Sequence, residues 1–396
     1  MARPFLEDDH SKRGGVILLH SVLKKGRAVA LVAATLIAAG QVAHADDVQL
    51  PRTMVWTSYD QGSAGFVEAS AIADALDRQF GTTIRITPAG TAVGRLLPMQ
   101  TGRATFGFAG NEMHFAAEAM FEFAARDWGP QDLRVVLGRP AQVGLVVGGD
   151  TDIMTPADLR GHRVGYVQAS PSTDLNTNTV LAFADLTPAD VEVVMYPGYG
   201  AMLQAFISGE IDAAPAIPTS AALREAEGGR GVRWLDMPAS DEAGWGRIRA
   251  FASLFSPSQA RTGVSISDED PADLLGYRYP QLGVYANVSD DEVYNMIRAL
   301  NESYDLYKDA TPSIRHWAIA EAGSTPAAAP FHPGAVRYLR EIGQWTDADQ
   351  AWNDARIARI EAVRAAWDAA QAEATAAGVS DDDWPAFWDA YRAEHL

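Results

Sequence analysis

Two stretches of small and hydroxyl residues carry the most legible chemistry in this chain. Thr57-Ser58-Tyr59-Asp60-Gln61-Gly62-Ser63-Ala64-Gly65 follows one short apolar run, and Ala169-Ser170-Pro171-Ser172-Thr173-Asp174 follows another, Arg163 to Val167. Each leads into a helical pattern. A loop of this kind binds anions: the first N–H groups of the helix lack internal partners, the macrodipole favours negative charge, and the hydroxyls add adjustable donors. Two such loops, roughly a hundred residues apart, predict two lobes that close on one small ligand.

A third turn, Gly90-Thr91-Ala92-Val93-Gly94, adds Thr91 to the set of donors. Arg95 and Arg139 are the cations nearest the expected cleft. Either one forked onto a ligand carboxylate would be the strongest available anchor; the alternative for Arg95 is a solvated place in the first turn of a helix. Asp60 and Glu112 bind an ammonium group or an arginine, or else cap helices. Asn111 and Asn176 suit the fixing of orientation, and Tyr59, Phe66 and Tyr199 are candidates for apolar walls or for core.

The elements that must position these residues alternate. Strands are expected at Met54–Ser58, Thr83–Pro88 and Thr105–Ala109, with helices at Gly65–Phe80, Arg95–Thr101 and from Glu112 to about Arg126. Leu133 to Gly148 holds two apolar runs broken by Arg139-Pro140. Thr155 to Leu159 starts a short helix, and the pattern resumes with strands at 163–167, 191–195 and 211–216 and helices at about 175–184 and 202–208. This βαβαβ pattern implies mostly parallel sheets with helices on both faces, and ligands held at the carboxyl ends of the strands. The expected organisation is a leader over 1–45, a first lobe over 46–150, a second over 151–258 and a largely helical return to the first over 259–345. The hinges are expected near Gly148–Thr155 and Ser253–Ser265. Residues 346–396 form a helical extension with an apolar stripe at Trp352, Ile360, Val363 and Trp367, which either packs on the first lobe or docks a partner.

Lys24, Lys25 and Arg27 precede the apolar run Ala28–Ala39, and Ala43-His44-Ala45 supplies small residues at a cleavage position. A cleavable signal peptide, and hence a periplasmic protein, is the expectation, with a permanent anchor as the alternative. Residues 1–45 carry 6 Lys and Arg against 3 Asp and Glu, so removing them takes the net charge from −19 to −22. That charge argues against nucleic-acid binding, and a captured anion must be held by local geometry. With no cysteine, the chain has neither disulfides nor thiolate chemistry. The five histidines after residue 45 fall in unrelated segments without metal-ligand spacing, and His332 is placed to cap the helix that follows it. Gly62-Ser63-Ala64-Gly65 is not a nucleophile elbow, and Gly90–Gly94 lacks the ending of a phosphate-binding loop. No catalytic residue, metal or cofactor is expected.

The order of these features over about residues 53–345 resembles the TAXI family of TRAP-transporter solute receptors. Asp60 to Val67 stands where that family has Gly-Thr-Gly-Gly-x-Tyr-Tyr-Pro. Thr91-Ala92-Val93-Gly94-Arg95-Leu96-Leu97 with Thr101-Gly102 is similar to its small-residue turn and Leu-x-x-Gly helix. Asp158 to Gly165 resembles its Asp-Leu-Lys-Gly-Lys-Arg-Val opening, and Ala169 to Thr173 its Gly-Ala-Pro-Gly-Ser-Gly-Thr loop. Gly209-Glu210-Ile211-Asp212-Ala213 and His332-Pro333-Gly334-Ala335 also match. The resemblance implies a two-lobed, periplasmic-binding-protein-like (type II) α/β clamshell that performs no covalent chemistry. It would deliver a small organic anion or amino acid to a sodium-driven TRAP permease, and the chain is expected to act as a monomer. The departures fall at the ligand: the tyrosine pair is reduced to Phe66, Asp60 and Gln61 replace small residues, Gly110-Asn111-Glu112 stands for Gln-Ser-Asp, and the second loop has lost its glycines.

The expected ligand set is therefore Gln61, Ser63, Phe66, Thr91, Arg95, Asn111, Glu112, Ser170, Ser172, Thr173, Asn176 and Tyr199. Two other readings of the same fold stay open. One is a receptor for an ATP-driven (ABC) importer or a signalling system; the other is an enzyme with Glu112 or His114 as base.

Overall fold

Strands form where β-branched and aromatic residues fall in short runs between turn-formers. They are β1 (Thr53–Ser58), β2 (Thr83–Pro88), β3 (Phe106–Ala109), β4 (Leu133–Gly148) and β5 (Arg163–Val167). The rest are β6 (Glu192–Tyr196), β7 (Ala213–Ala216), β8 (Val232–Trp234), β9 (Ser256–Ala260) and β10 (Ala272–Tyr285). The computed structural model describes residues 47–396 apart from 253. The expected leader thus lies outside the described residues.

The sheet runs in the order β2-β1-β3-β10-β4-β7-β5-β6, with β9 added to β10 and β8 to β4. Strands β1, β2 and β3 are parallel to one another, as are β5, β6 and β7. Between these two parallel groups lie β4 and β10, paired antiparallel along their length and antiparallel to their outer neighbours β7 and β3. The βαβ crossovers are made by α1 (Ala64–Phe80) and α2 (Ala92–Gln100) in the first group. In the second group α4 (Pro171–Phe183) and α5 (Tyr199–Ser208) do the same, and α3 (Glu112–Ala117) follows β3. Strands β3 and β7 have no exposed residue, as expected of strands covered on both faces. Trp56 of β1 is fully buried between Phe106 and Phe108, and Phe108 packs in turn on Trp317.

Several elements differ from the sequence expectation, three of them near the site. Leu133–Gly148 is a single strand, not two runs. Pro140 is tolerated because it faces Arg278, where the ladder with β10 shifts register between Arg278 and Gln281, so its missing N–H breaks no regular bond. The 14-residue strand β10 occupies a segment that the sequence left without an element. The helix expected to run to Arg126 stops at Ala117, because Ala119 and Phe121 take positive φ values of 49° and 56°. A helix cannot pass through such residues.

The C-terminal segment explains why that break is stable. The helices Asp347–Ala377 and Trp384–His395 form a hairpin against residues 112–132. The indole Nε1 of Trp388 donates to Ala119 O and that of Trp384 to Ala124 O, both at 2.8 Å. These bonds satisfy carbonyls that the broken helix leaves without partners. Trp367 stands edge-on to both indoles, with ring centroids 4.8 and 4.9 Å away. Around this cluster Arg359 forks onto Glu118, at 3.0 Å to Oε1 and 2.7 Å to Oε2, and Arg126 lies 4.3 Å over the Trp384 ring. No helix among the described residues is long and apolar enough to cross a membrane.

Replacing Trp388 by Ala removes a fully buried ring and its hydrogen bond, and is expected to cost about 3–5 kcal/mol in denaturant unfolding. Trp388→Phe, which keeps the ring bulk and drops only the N–H, should cost about 1–2 kcal/mol. An alanine effect no larger than that of phenylalanine would contradict this account of the hairpin.

Candidate functional site

The carboxyl ends of the two parallel strand groups face one another, and the loops that follow them meet. After β1, the chain turns through Tyr59 to Ser63. Ser63 caps α1: its Oγ accepts from Phe66 N at 3.2 Å and donates to Asp60 O at 2.7 Å. After β2, Thr91 caps α2 by accepting from Gly94 N at 3.0 Å. Arg95, one turn further along, is 3% exposed. Its guanidinium donates to Glu112 Oε1 from Nε at 3.0 Å and from Nη2 at 2.8 Å, and to Ala89 O from Nη1 at 3.2 Å. It lies 4.0 Å over the ring of Tyr59.

After β3, Gly110 and Asn111 lead into α3. Glu112 is fully buried at its start, where Oε2 accepts from Gly110 N at 2.8 Å and Oε1 from the Tyr59 hydroxyl at 3.4 Å. Burial alone would lower the pKa of Arg95, but Glu112 and Tyr59 beside it reverse the shift and hold it above the ordinary value. Burial, reinforced by Glu112, pushes the Tyr59 phenol well above its usual range, so it stays a neutral donor.

From the other side, α4 begins at Pro171 and brings Ser172 and Asn176 against α3. Ser172 Oγ donates to Asn111 Oδ1 and lies 3.2 Å from Glu112 Oε2, so its one proton is shared. Asn111 Nδ2 donates to Asn176 Oδ1 at 3.4 Å. Ser170 and Thr173 bond each other through their hydroxyls at 2.9 Å. At the start of α5, Tyr199 N donates to Gly90 O at 3.2 Å and Gly200 N to Asp60 Oδ2 at 3.3 Å. The backbones approach so closely here that a Cβ on Gly90 would lie 3.3 Å from Gly198 Cα and 2.9 Å from Asp60 Oδ2, so any larger residue would push these groups apart.

These contacts border a cleft that is half open to solvent, with an inner cavity of about 40 Å³, room for a few water-sized occupants. Of the residues expected to contact a ligand, Arg95, Ser172, Thr173, Asn176 and Tyr199 line it. Asn111 and Glu112 stand behind them as hydrogen-bond partners. Ser63 and Thr91 have their hydroxyls committed to helix caps, Ser170 is bonded to Thr173, Gln61 is exposed, and Phe66 lies on α1 away from the lining. The lining also contains residues the sequence did not single out: Val143 of β4, Pro215 to Ile217 at the end of β7, and Tyr277 and Tyr279 of β10. Tyr277 and Tyr279 stack with centroids 5.7 Å apart, and Tyr59 closes on Tyr279 at 4.8 Å. Burial pushes the Tyr199 phenol up to about 12.

Arg139, the other expected anchor, is paired elsewhere. It forks onto Glu68 at 2.8 and 2.7 Å, and Glu68 also accepts from Ser313 and Trp317. His114 Nδ1 accepts from Arg356 at 2.8 Å, which fixes it as the Nε2–H tautomer. Its burial, with Arg356 adding repulsion, lowers its pKa to about 4. Among the described residues no group of His, Asp and Glu has the arrangement of a metal site.

Residues 61–343 match the model of the NMT1-like family. No curated protein matches the chain. Among solved structures, the alkanesulfonate-binding protein SsuA from Xanthomonas axonopodis pv. citri, bound to MOPS, is 17% identical with a TM-score of 0.44. That match covers 74% of this chain and 92% of SsuA. An ancestral arginine-binding protein bound to arginine is 15% identical with a TM-score of 0.41, over 66% of this chain and 97% of its own. Likeness at this level assigns no ligand.

Asp174, beside the lining residue Thr173, yields a pH prediction. Burial raises its carboxyl to about 7, against a 3.0 Å bond from Val167 N and with Glu122 adding repulsion. The folded pKa thus exceeds the unfolded value of 3.8, and the native state binds more protons between the two. Stability from this group therefore falls as pH rises through that window, and the deficit is complete above about 7. Asp174→Asn keeps the acceptor for Val167 and should leave thermal stability unchanged at about pH 4, while raising it by about 2 kcal/mol at about pH 8. Equal effects at both pH values would contradict the assignment.

Proposed function

We infer the function from one premise: the chain belongs to the NMT1-like family. On that basis we propose an extracytoplasmic solute receptor that closes on a small organic acid or amino acid and delivers it to a TRAP-type secondary permease. The observation that carries this reading is the convergence, on one cavity, of loops from the carboxyl ends of both parallel strand groups. Their contacts Tyr199–Gly90, Gly200–Asp60 and Ser172–Asn111 are those of a closed cleft. Arg95, Ser172, Thr173 and Asn176 supply the polar contacts to the ligand, and Tyr59, Tyr199, Tyr277 and Tyr279 its walls. Ser63, Thr91, Asn111 and Glu112 hold those residues in place.

The parallel groups act as two lobes, and β4 and β10 act as the hinge, bending where Pro140 faces the register shift at Arg278–Gln281. The protein is exported to the periplasm by its leader, works as a monomer and performs no covalent step. The paired state of Glu112 and the neutral, arginine-bound state of His114 leave neither as a free base, which supports binding over catalysis.

Mass spectrometry of the solvent released on denaturing the purified protein should reveal one stoichiometric small organic acid. In proteoliposomes that contain the permease, uptake of that compound should need this protein and a sodium gradient, without ATP. Absence of any bound or bindable small molecule would remove the receptor reading; ATP-dependent uptake would leave it intact and replace the TRAP permease by an ABC importer.

A further inference from the structure

Charge accounting inside the cleft narrows the ligand. Among the described residues, Arg95 is the one charged side chain lining the cavity, and its charge is already matched by Glu112 at 2.8 Å, with side-chain exposures of 4% and 0%. The second buried cation near the hinge, Arg139, is matched in the same way by Glu68 at 2.7 Å. A ligand with two carboxylates would therefore bring two negative charges against a lining with no free countercharge, which is strongly unfavourable. An ammonium group fares no better, because no carboxylate lines the cavity and the Glu112 oxygens already accept from Arg95, Gly110 and Ser172.

A single carboxylate, in contrast, has donors waiting. Asn176 is 8% exposed, and its Nδ2 meets no acceptor among the described residues. Tyr279 is 6% exposed, and its hydroxyl has no hydrogen-bond partner there either. Arg95 uses three of its five N–H groups in the bonds given above and keeps two. These donors lie beside the first turns of α4, whose macrodipole adds a fractional positive charge. They replace the hydration of one anion without supplying a full countercharge for a second. The remaining walls are tyrosine faces with Val143 and Ile217, apolar surfaces on which a flat body can stack where the cavity opens toward solvent.

Resting on the receptor reading, we propose that the ligand is a monocarboxylate with a flat, apolar body, lacking an ammonium group or a second charge.

Titration calorimetry of the full-length mature protein tests this with benzoate, 2-furoate, benzamide, 2-oxoglutarate, L-glutamate and L-phenylalanine as probes. Benzoate or 2-furoate should bind at least a hundredfold more tightly than 2-oxoglutarate and both amino acids, and at least tenfold more tightly than benzamide. Tighter binding of 2-oxoglutarate or of either amino acid overturns the ligand class and leaves the receptor reading standing. No binding of benzoate or 2-furoate up to millimolar concentration also overturns it; the receptor reading falls with it only if denatured protein releases no small molecule. A second arm uses Glu112→Gln, its fold checked by circular dichroism, which leaves Arg95 without a countercharge. It should bind 2-oxoglutarate at least tenfold more tightly than wild type does; an unchanged affinity overturns the charge argument, and the wild-type series decides alone if the variant does not fold.

Discussion

A carboxylate taken out of water is costly unless donors replace its hydration, and Glu112, with a fully buried side chain, imposes that condition on everything around it. It is met by Arg95 from α2, Gly110 N from its own turn, Ser172 from α4 and the Tyr59 hydroxyl from the loop after β1. Each donor comes from a different loop at the carboxyl edge of the sheet. Satisfying one charge therefore fixes the relative positions of four loops, including one from the opposite strand group. Arg95 is held in turn over the Tyr59 ring, and Tyr59 against Tyr279, so the same charge sets the cavity's aromatic wall.

The Arg139–Glu68 pair repeats this arrangement where the central strands cross. Arg139 sits on β4 beside Pro140, and Glu68 on α1 also accepts from Ser313 and Trp317. Helix α1, strand β4 and the segment around 313–317 are thereby tied at one point. Neither pair is strong evidence of stability, because desolvation offsets much of the attraction. Their consequence is geometric and electrostatic: two guanidinium groups are placed near the cleft without leaving it a net positive charge. In a chain as acidic as this one, that leaves local donors to select the ligand.

The alternation of strand and helix was legible because β-branched runs and amphipathic stretches differ in period, and the bounds of β2 and β5 agree with the expectation. The helix cap at His332 was also legible; Nδ1 accepts from Gly334 N at 3.1 Å. Strand β10 was not, because Gly276, Arg278 and Pro280 interrupt its apolar text, and its identity is set by pairing with β3 and β4 far away in sequence. Tyr277 and Tyr279 were missed with it. At the cleft, Ser63 and Thr91 read as ligand donors because the demands of a helix N-terminus and of a bound anion are met by the same hydroxyl chemistry. Sequence alone does not say which of the two a given serine serves. The partner of Arg95 was hidden for another reason: Glu112 belongs to a different helix, and no local spacing encodes their meeting.

The C-terminal hairpin bears on the same charge from behind. A helix of six residues such as α3 has almost no intrinsic stability, yet it must hold Asn111 and Glu112 at its start. The hairpin supplies what α3 lacks: Arg356 donates to His114, Arg359 forks onto Glu118, and Trp388 takes the carbonyl of Ala119. Each of these contacts lies within two turns of Glu112, although the arginines come from more than 240 residues away. The low pKa of His114 follows from the same contact, since a protonated ring would bring a second cation against Arg356. The extension thus packs directly on the short segment that carries Glu112 and braces it.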